Sequence, residues 1–270
     1  MIKLKKPLQH ILDRDSQFEI ILVGCGGTGS FVAQDIARLA WHLKQDGKDM
    51  KTLFIDYDAV EEKNVGRQNF APIDVGSGKA EALSTRYNRA YGLEIAYFND
   101  GADKWEPMLK RHEFRGTVTV LIGCVDNTAA RKRILDIARK YQSFSRKVFW
   151  LDCGNFENAG QVLIGNSGEK SPNFKKSISL GLCSDIPFPS VIHPELTALE
   201  KIEKKKVSCA DLALQNAQSL MINRAVSTFA GQYLYDILIK RTLLKYATYI
   251  SLGGGAATSK FLNKNIWDKK

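Results

Sequence analysis

The stretch F-E-I-I-L-V-G-C-G-G-T-G-S, residues 18–30, decides the fold. Its apolar, β-branched half ends directly in glycines, and apolar residues at near-helical spacing follow, so it predicts a strand, a tight turn and a helix. Gly24, Gly26 and Gly29 form G-x-G-x-x-G at the turn, where bare backbone and the N–H groups of a helix N-terminus can bind phosphate. By itself this motif fits an ordinary dinucleotide fold that binds NAD or FAD equally well.

Strand-like and helical segments alternate along the first two thirds of the chain. Further strands are predicted at residues 52–57, 93–98, 117–125, 148–153 and 161–164. Helices are predicted at 79–90 and 128–141. This alternation predicts an α/β, Rossmann-like fold with a mostly parallel sheet, flanked by helices and joined by right-handed crossovers.

The pattern changes after residue 165. A long polar stretch without clear periodicity predicts a crossover loop or insertion, and a long helix at 210–239 and a strand at 246–252 predict a mixed or antiparallel extension. We expect residues 1–270 to form a single domain. Its parts are a nucleotide-binding core at 18–165, a crossover insertion at 166–209, and a C-terminal helix and strand at 210–270.

Composition narrows the functional classes. The chain of 270 residues is 44% hydrophobic and 25% charged, and it has no signal-like N-terminus and no apolar run of membrane-spanning length. We therefore expect a cytoplasmic protein without membrane association. The net charge of +10 is spread along the chain, so nucleic-acid binding is possible but not favoured. The five cysteines include no C-x-x-C pair, which predicts reduced thiols.

Polar residues beyond the second predicted strand favour ATP over a dinucleotide. Asp56 ends that strand, where a carboxylate can accept hydrogen bonds from ribose hydroxyls. Attack of a carboxylate on the α-phosphate of ATP also requires cations that offset anion–anion repulsion and stabilise pyrophosphate. Arg67 and Lys79 are candidates for these cations, and a hydride-transfer enzyme has no need of them.

Asp126 is the candidate metal ligand. It follows the predicted strand at 117–125 and so lies at the carboxyl edge of the sheet, where open α/β folds bind ligands. A carboxylate there could hold Mg²⁺ that bridges phosphates. The alternative is that Asp126 caps the helix that begins near Thr128.

With these elements in order, the chain resembles the ThiF/MoeB superfamily of adenylating enzymes, which also form the core of ubiquitin-activating enzymes; the resemblance covers roughly residues 18–165. The family's glycine loop and ribose-binding aspartate match Gly24, Gly26, Gly27, Gly29 and Asp56. Its D-x-D-x-V-x-x-x-N-x-x-R-Q block also matches Asp58, Asn64, Arg67 and Gln68. The resemblance gives phosphate-binding roles to Arg67 and Lys79 and a magnesium-linked role to Asp126, and the motif continues through Asn127 and Arg131. Among subgroups, the chain is similar to the compact ThiF-like proteins of the PRTRC plasmid cassette.

The resemblance implies an activity and partners. It implies that Mg-ATP adenylates the C-terminal glycine of a small ubiquitin-like or sulfur-carrier protein, and that the enzyme is a homodimer. Many members reach the partner subunit's ATP with an arginine in an N-terminal helix, but Arg14 lies in no recognisable version of that motif. Because the two C-x-x-C pairs of zinc-binding members are absent from this sequence, we expect no zinc.

Cys209 is the candidate nucleophilic thiol. It lies in V-S-C-A-D, after lysines 204–206 and before the long predicted helix, an environment that would lower a thiol pKa and favour transfer of an activated acyl group or of sulfur. The alternative is a buried cysteine without a reaction.

Three other functions remain open at this point. One is activation of a modified tRNA base or of a small-molecule carboxylate. Another is a non-catalytic scaffold that binds nucleotide. The third is an NAD or FAD oxidoreductase, against which Arg67, Lys79 and Asp126 argue.

Overall fold

The computed structural model describes residues 7–14, 16–100, 117–143, 147–198 and 220–268. The strands are β1 (His10–Ile11), β2 (Gln17–Val23), β3 (Met50–Ile55), β4 (Ala96–Phe98), β5 (Thr117–Gly123), β6 (Lys147–Asn155), β7 (Ala159–Gly165), β8 (Thr242–Leu243), β9 (Lys245–Ser251) and β10 (Ala256–Phe261). Eight of these ten strands form one mixed β-sheet, and the other two, β1 and β8, pair in a separate small sheet. The helices are α1 (Gly27–Gln45), α2 (Lys79–Tyr91), α3 (Thr128–Ser143), α4 (Phe174–Ser179), α5 (Pro189–Ile192) and α6 (Leu220–Leu238). Short 3-10 turns lie at Glu62–Asn64, Pro72–Asp74 and Pro194–Leu196.

The parallel half of the sheet has the order β4-β3-β2-β5-β6. Strands β2 and β5 lie in its middle and are almost completely buried, which is why both read as continuous apolar runs. The chain leaves β2 toward β3 on one side and returns to β5 on the other. The sheet therefore has a topological switch point between β2 and β5, where such folds bind ligands at the carboxyl ends of the strands.

The antiparallel half continues from β6 through β7 and β9 to β10. It agrees with the expected mixed or antiparallel extension and adds β10, which the sequence did not predict. The three glycines at 253–255 form the turn between β9 and β10, and Gly255 has a φ of +61° there. Five of the six residues of β10 are exposed and Ser259 is partly buried, so β10 lacks the apolar alternation that would identify it.

Helix α6 covers the junction of the two halves. Its buried residues recur every three or four positions and face α1, β6 and β7, as expected for a helix with one apolar stripe. They are Ile222, Val226, Ala230, Tyr233 and Ile237. The predicted helix at 210–239 agrees with α6 from Leu220 onward, and its first ten residues lie outside the described part of the chain.

The described part of the predicted crossover insertion, 166–198, is more regular than its sequence indicates. It contains α4, α5 and a 3-10 turn, and it buries Phe174, Cys183, Ile186 and Phe188. Phe188 packs on Trp150 of β6, with ring centroids 6.3 Å apart. The sequence predicted a crossover loop or insertion here but not these short elements, because elements of four to six residues are too short to show a helical period.

Candidate active site

Three loops meet at the carboxyl edge of the sheet, beside the switch point. They follow β2, β3 and β5 and carry, respectively, the glycine motif, Asp56 and Asp126. Backbone hydrogen bonds join them, because Gly24 N donates to Ile55 O at 2.9 Å and Cys124 N donates to Val23 O at 2.8 Å. The residues predicted for nucleotide binding therefore converge on one region of the fold.

Glycine is required at two positions of the first loop. Gly24 has a φ of +89°, and a Cβ there would lie 2.5 Å from the carbonyl oxygen of Cys124. A Cβ on Gly29 would lie 1.8 Å from the carbonyl oxygen of Gly24. Helix α1 begins at Gly27, and no described side chain caps its N-terminus. Its first N–H groups are thus available to an anion.

Asp56 is a buried carboxylate held by two backbone donors. Its Oδ2 accepts from Cys25 N at 2.6 Å, and its Oδ1 accepts from Asp58 N at 2.8 Å. Burial raises the pKa of Asp56, and these two hydrogen bonds and the charge of Lys79 act in the opposite direction. The carboxylate links the glycine loop to the β3 loop in a fixed orientation, which suits a group that receives ribose hydroxyls.

Lys79 begins α2 and turns its side chain inward. The side chain is only 8% exposed, and its Nζ lies 2.7 Å from Oδ2 of Asp58, while Lys79 N donates to Asp58 O at 2.9 Å. The ammonium charge lowers the pKa of Asp56 and of Cys25, against the larger opposing effect of burial on each. Lys79 is therefore a buried cation beside the predicted ribose carboxylate, and it is not a solvated lysine on a helix surface.

The block after β3 approaches the glycine loop from one side. Asn64 is buried and its Oδ1 accepts from Glu61 N at 2.9 Å, so this oxygen stabilises a local turn. Gln68 Nε2 lies 3.9 Å from the position that a Cβ on Gly26 would take. Gln68 Oε1 is buried and has no hydrogen-bond partner within the described ranges. Arg67 is half-buried, and it interacts with another group of the protein.

Helix capping and metal binding were both considered for Asp126, and the structure gives the capping role to Asn127. Asn127 Oδ1 accepts from Ala130 N at 2.8 Å at the start of α3, and Asn127 Nδ2 donates to Asp126 Oδ1 at 3.2 Å. Asn127, not Asp126, therefore makes the capping hydrogen bond, which leaves the exposed Asp126 carboxylate free for a ligand role. The pKa of Tyr57 is raised, first by the charge of Asp58, then by burial and by the charge of Asp126, so these groups surround one exposed ring.

Within the described ranges, the donors at this edge of the sheet fit a cation that phosphate oxygens also hold. Across the described ranges, no group of three or more His, Cys, Asp and Glu side chains could hold a metal ion. Mg²⁺ on a nucleotide needs only one or two carboxylates, because phosphates and water supply the remaining oxygens. Asp126 meets this requirement.

The site has two sets of polar contacts that no sequence motif indicates. Arg131 Nε lies 3.1 Å from Oδ1 of the fully buried Asp152, and this ion pair fixes the first turn of α3 against β6. Burial raises the pKa of Asp152 to about 6, although Arg131 opposes the shift. Separately, Thr28, Asn155 and Asn223 form a hydrogen-bonded cluster beside the glycine loop. Their separation along the chain hides both features from motif analysis.

Three of the described cysteines, Cys25, Cys153 and Cys183, are buried thiols with raised pKa values. Burial raises the pKa of Cys25 and that of Cys183, the latter to about 12, and a hydrogen bond with Cys124 followed by burial raises that of Cys153. Cys209 lies outside the described residues, so its predicted role stays a prediction.

Arg14 is exposed. Among the described helices, none is both long enough and apolar enough to cross a membrane.

Comparisons with known proteins agree with this arrangement. The ThiF family model matches residues 8–188. Ubiquitin-like modifier-activating enzyme 5 of Caenorhabditis elegans is 27% identical over 155 residues, and that of Dictyostelium discoideum is 30% identical over 167 residues. These matches cover 54% and 56% of the chain but only 34% and 39% of those relatives. The chain thus matches little more than a third of their length.

Solved structures share the fold over almost the whole chain. PaaA superposes with a TM-score of 0.55 at 18% identity, and the superposition covers 92% of this chain and 73% of the PaaA chain. Escherichia coli MccB, solved with ATP, superposes with a TM-score of 0.58 at 14% identity and covers 93% and 64%, respectively. At these identities the superpositions show a common fold.

Proposed function

The chain belongs to the ThiF family, and on that premise we propose that it is an ATP-dependent adenylyltransferase that activates the C-terminal carboxylate of a small ubiquitin-like or sulfur-carrier protein. In the proposed reaction a carboxylate oxygen attacks the α-phosphorus of ATP, and the bond from that phosphorus to the bridging β-phosphate oxygen breaks. The products are an acyl-adenylate and pyrophosphate. The names of the ubiquitin-like modifier-activating relatives support this class of acceptor.

The observation that carries the proposal is the buried charge of Lys79 beside Asp56. Burying a charge is costly unless it is paired, and here the partner Asp58 is itself half-exposed at the site. A cation in this position can move between Asp58 and a phosphate oxygen. A hydride-transfer site requires the ribose carboxylate but no such cation, which is why we favour ATP over NAD or FAD.

Each residue has a role in the proposed reaction. Asp56 holds the ribose, the glycine loop and the first turn of α1 hold phosphates, and Gln68 offers an unsatisfied amide oxygen near Gly26. Lys79 and Arg67 offset the repulsion between the carboxylate and the phosphates. Asp126 would hold Mg²⁺, which would supply positive charge where pyrophosphate departs. Asn64 and Asn127 support the loops through their turn and cap hydrogen bonds.

A peptide or small-molecule carboxylate is the second candidate acceptor. MccB, whose fold this chain shares, has been solved in complex with N-formylated MccA. The charge of +10 also keeps a modified tRNA base as an alternative acceptor. A homodimer is part of the same proposal. Arg14 does not match the family's N-terminal arginine motif, but another cation of a partner subunit could take that role.

ATP–pyrophosphate exchange tests the proposal. The wild-type chain with Mg²⁺ is expected to exchange labelled pyrophosphate into ATP only when a ubiquitin-like protein ending in glycine is present. Asp126→Ala is expected to abolish exchange, while Asp136→Ala, which changes a partly exposed carboxylate farther along the chain on α3, retains it. Tight ATP binding without exchange for any carboxylate would instead favour a nucleotide-binding scaffold.

A further inference from the structure

Three polar side chains from distant parts of the chain meet beside the glycine loop. Asn155 ends β6, Thr28 lies in the first turn of α1, and Asn223 lies in the first turn of α6. Thr28 Oγ1 donates to Asn223 Oδ1 at 3.1 Å, and Asn155 Nδ2 donates to Thr28 Oγ1 at 3.0 Å and to Asn223 Oδ1. We call these three residues the Asn155 cluster.

The cluster fixes which atom Asn155 can offer to a ligand. Its amide nitrogen lies within hydrogen-bond distance of both Thr28 Oγ1 and Asn223 Oδ1, so this nitrogen is the atom that faces the cluster. Rotation of the amide would place Asn155 Oδ1 against Asn223 Oδ1, so that two acceptors would face each other. Asn155 Oδ1 remains, and no hydrogen bond between described residues uses it. The cluster thus presents a fixed acceptor on a half-buried side chain.

The strand order places this acceptor on the side of the site opposite the ribose. Across the carboxyl edge the order is β3, β2, β5 and β6, so Asp56, the glycine loop, Asp126 and Asn155 follow one another in that sequence. If the ribose binds at Asp56 and phosphates bind the glycine loop, the β5–β6 side of the site is left for the attacking carboxylate. The strand order places Asn155 on that side.

An amide oxygen selects the chemistry of its partner. Facing phosphate, Asn155 Oδ1 would be repelled, because it is an acceptor and the amide nitrogen is turned toward the cluster. It requires a donor. We propose that Asn155 Oδ1 accepts a hydrogen bond from the backbone N–H of the acceptor's terminal residue, and so makes the enzyme specific for peptide carboxylates. This inference rests on the proposed adenylation, and Thr28 and Asn223 act in it as positioning residues.

Three non-reactive analogues of the adenylate test the inference by calorimetry without divalent cations. Sulfamoyladenosine carries the nucleoside alone. Glycyl-glycyl-sulfamoyladenosine adds a peptide tail, and glycyl-sarcosyl-sulfamoyladenosine replaces the N–H of its last residue by N–CH₃. The wild-type chain is expected to bind the diglycyl compound roughly tenfold more tightly than the sarcosyl compound, since the sarcosyl compound leaves Asn155 Oδ1 without a donor in the complex. In Asn155→Ala the two compounds are expected to bind equally.

Controls separate recognition from folding. Sulfamoyladenosine is expected to bind Asn155→Ala and wild type alike, and Asn158→Ala, which removes an exposed asparagine from the β6–β7 turn, is expected to keep the tenfold ratio. Equal binding of the two tailed compounds to wild type overturns the inference, as does a ratio that survives in Asn155→Ala. If sulfamoyladenosine itself fails to bind wild type, the proposed function fails, and the inference that rests on it fails with it.

Discussion

Lys79 Nζ lies 2.7 Å from Asp58 Oδ2, and the two partners differ sharply in exposure, with 8% of the lysine side chain and 48% of the aspartate side chain accessible. The pair joins the start of α2 to the loop after β3. Because Asp58 stays partly hydrated, it can give up its partner to a nucleotide phosphate at little cost, whereas Lys79 has a buried charge that needs one. This asymmetry makes the pair suited to anion binding.

We expect Lys79→Met to weaken ATP binding and, where exchange is measured, to lower its rate by about a hundredfold, because one cation that stabilises phosphate charge is lost. Stability should change little, since methionine fills the same buried space and Asp58 remains hydrated. The measurements are calorimetric ATP affinity and pyrophosphate exchange. Lys132→Met, which alters an exposed lysine on α3, is the matched control and should behave as wild type. Equal effects of both variants would contradict the assigned role.

Gly29→Ala should prevent formation of the native glycine loop. The added Cβ would lie 1.8 Å from the carbonyl oxygen of Gly24, a backbone atom that cannot move aside alone. We expect a loss of at least about 3 kcal/mol in the free energy of unfolding, measured with urea. Gly47→Ala is the comparison, because its φ is +68° but no atom lies within 4 Å of the added Cβ; it should cost only about 1 kcal/mol. Similar costs at both positions would show that the loop is not as close-packed as described.

Asn127→Ala should destabilise the protein by about 1 kcal/mol, the usual cost of a lost helix N-cap. Asp126→Ala should leave the free energy of unfolding near its wild-type value, since the capping hydrogen bond to Ala130 N comes from Asn127. Urea unfolding of the two variants separates the roles. A larger loss in Asp126→Ala would return the cap to Asp126 and weaken its assignment as a phosphate-linked magnesium ligand.

Asp152 should make stability fall as pH rises through its titration. Its folded pKa of about 6 lies above the ordinary aspartate value of 3.8, so between these values the folded state binds the proton more tightly than the unfolded state. Protonation therefore favours folding at about pH 4, and this contribution, of order 3 kcal/mol, is lost by about pH 7. Asp152→Asn should remove this decline, although it also weakens the contact with Arg131. Urea unfolding at several pH values checks this, and parallel curves for variant and wild type would contradict it.

The sequence predicted the parallel core, and it could place the candidate site residues at one edge of the sheet, because both depend on local signals. Glycines after a buried strand, and carboxylates after the next strands, must meet where parallel strands end together. It could not choose between Asp126 and Asn127 as the cap, since neighbouring residues with equal capping ability differ only in loop geometry. Asn155 and Asn223 were missed because their contact joins residues far apart in the chain. Strand β10 was missed because it is mostly exposed and follows glycines.

Oxygen transfer from the acceptor carboxylate to AMP tests the central claim most directly. A ubiquitin-like protein ending in glycine, labelled with ¹⁸O in its terminal carboxylate, is incubated with the enzyme, ATP and Mg²⁺, and the acyl-adenylate is then hydrolysed at the carbonyl carbon. Our account predicts AMP that carries one ¹⁸O atom, because a carboxylate oxygen becomes bonded to the α-phosphorus, and predicts no label in AMP formed by Asp126→Ala. AMP without ¹⁸O from the wild-type enzyme, or ADP and phosphate as the products, would contradict adenylation of a carboxylate.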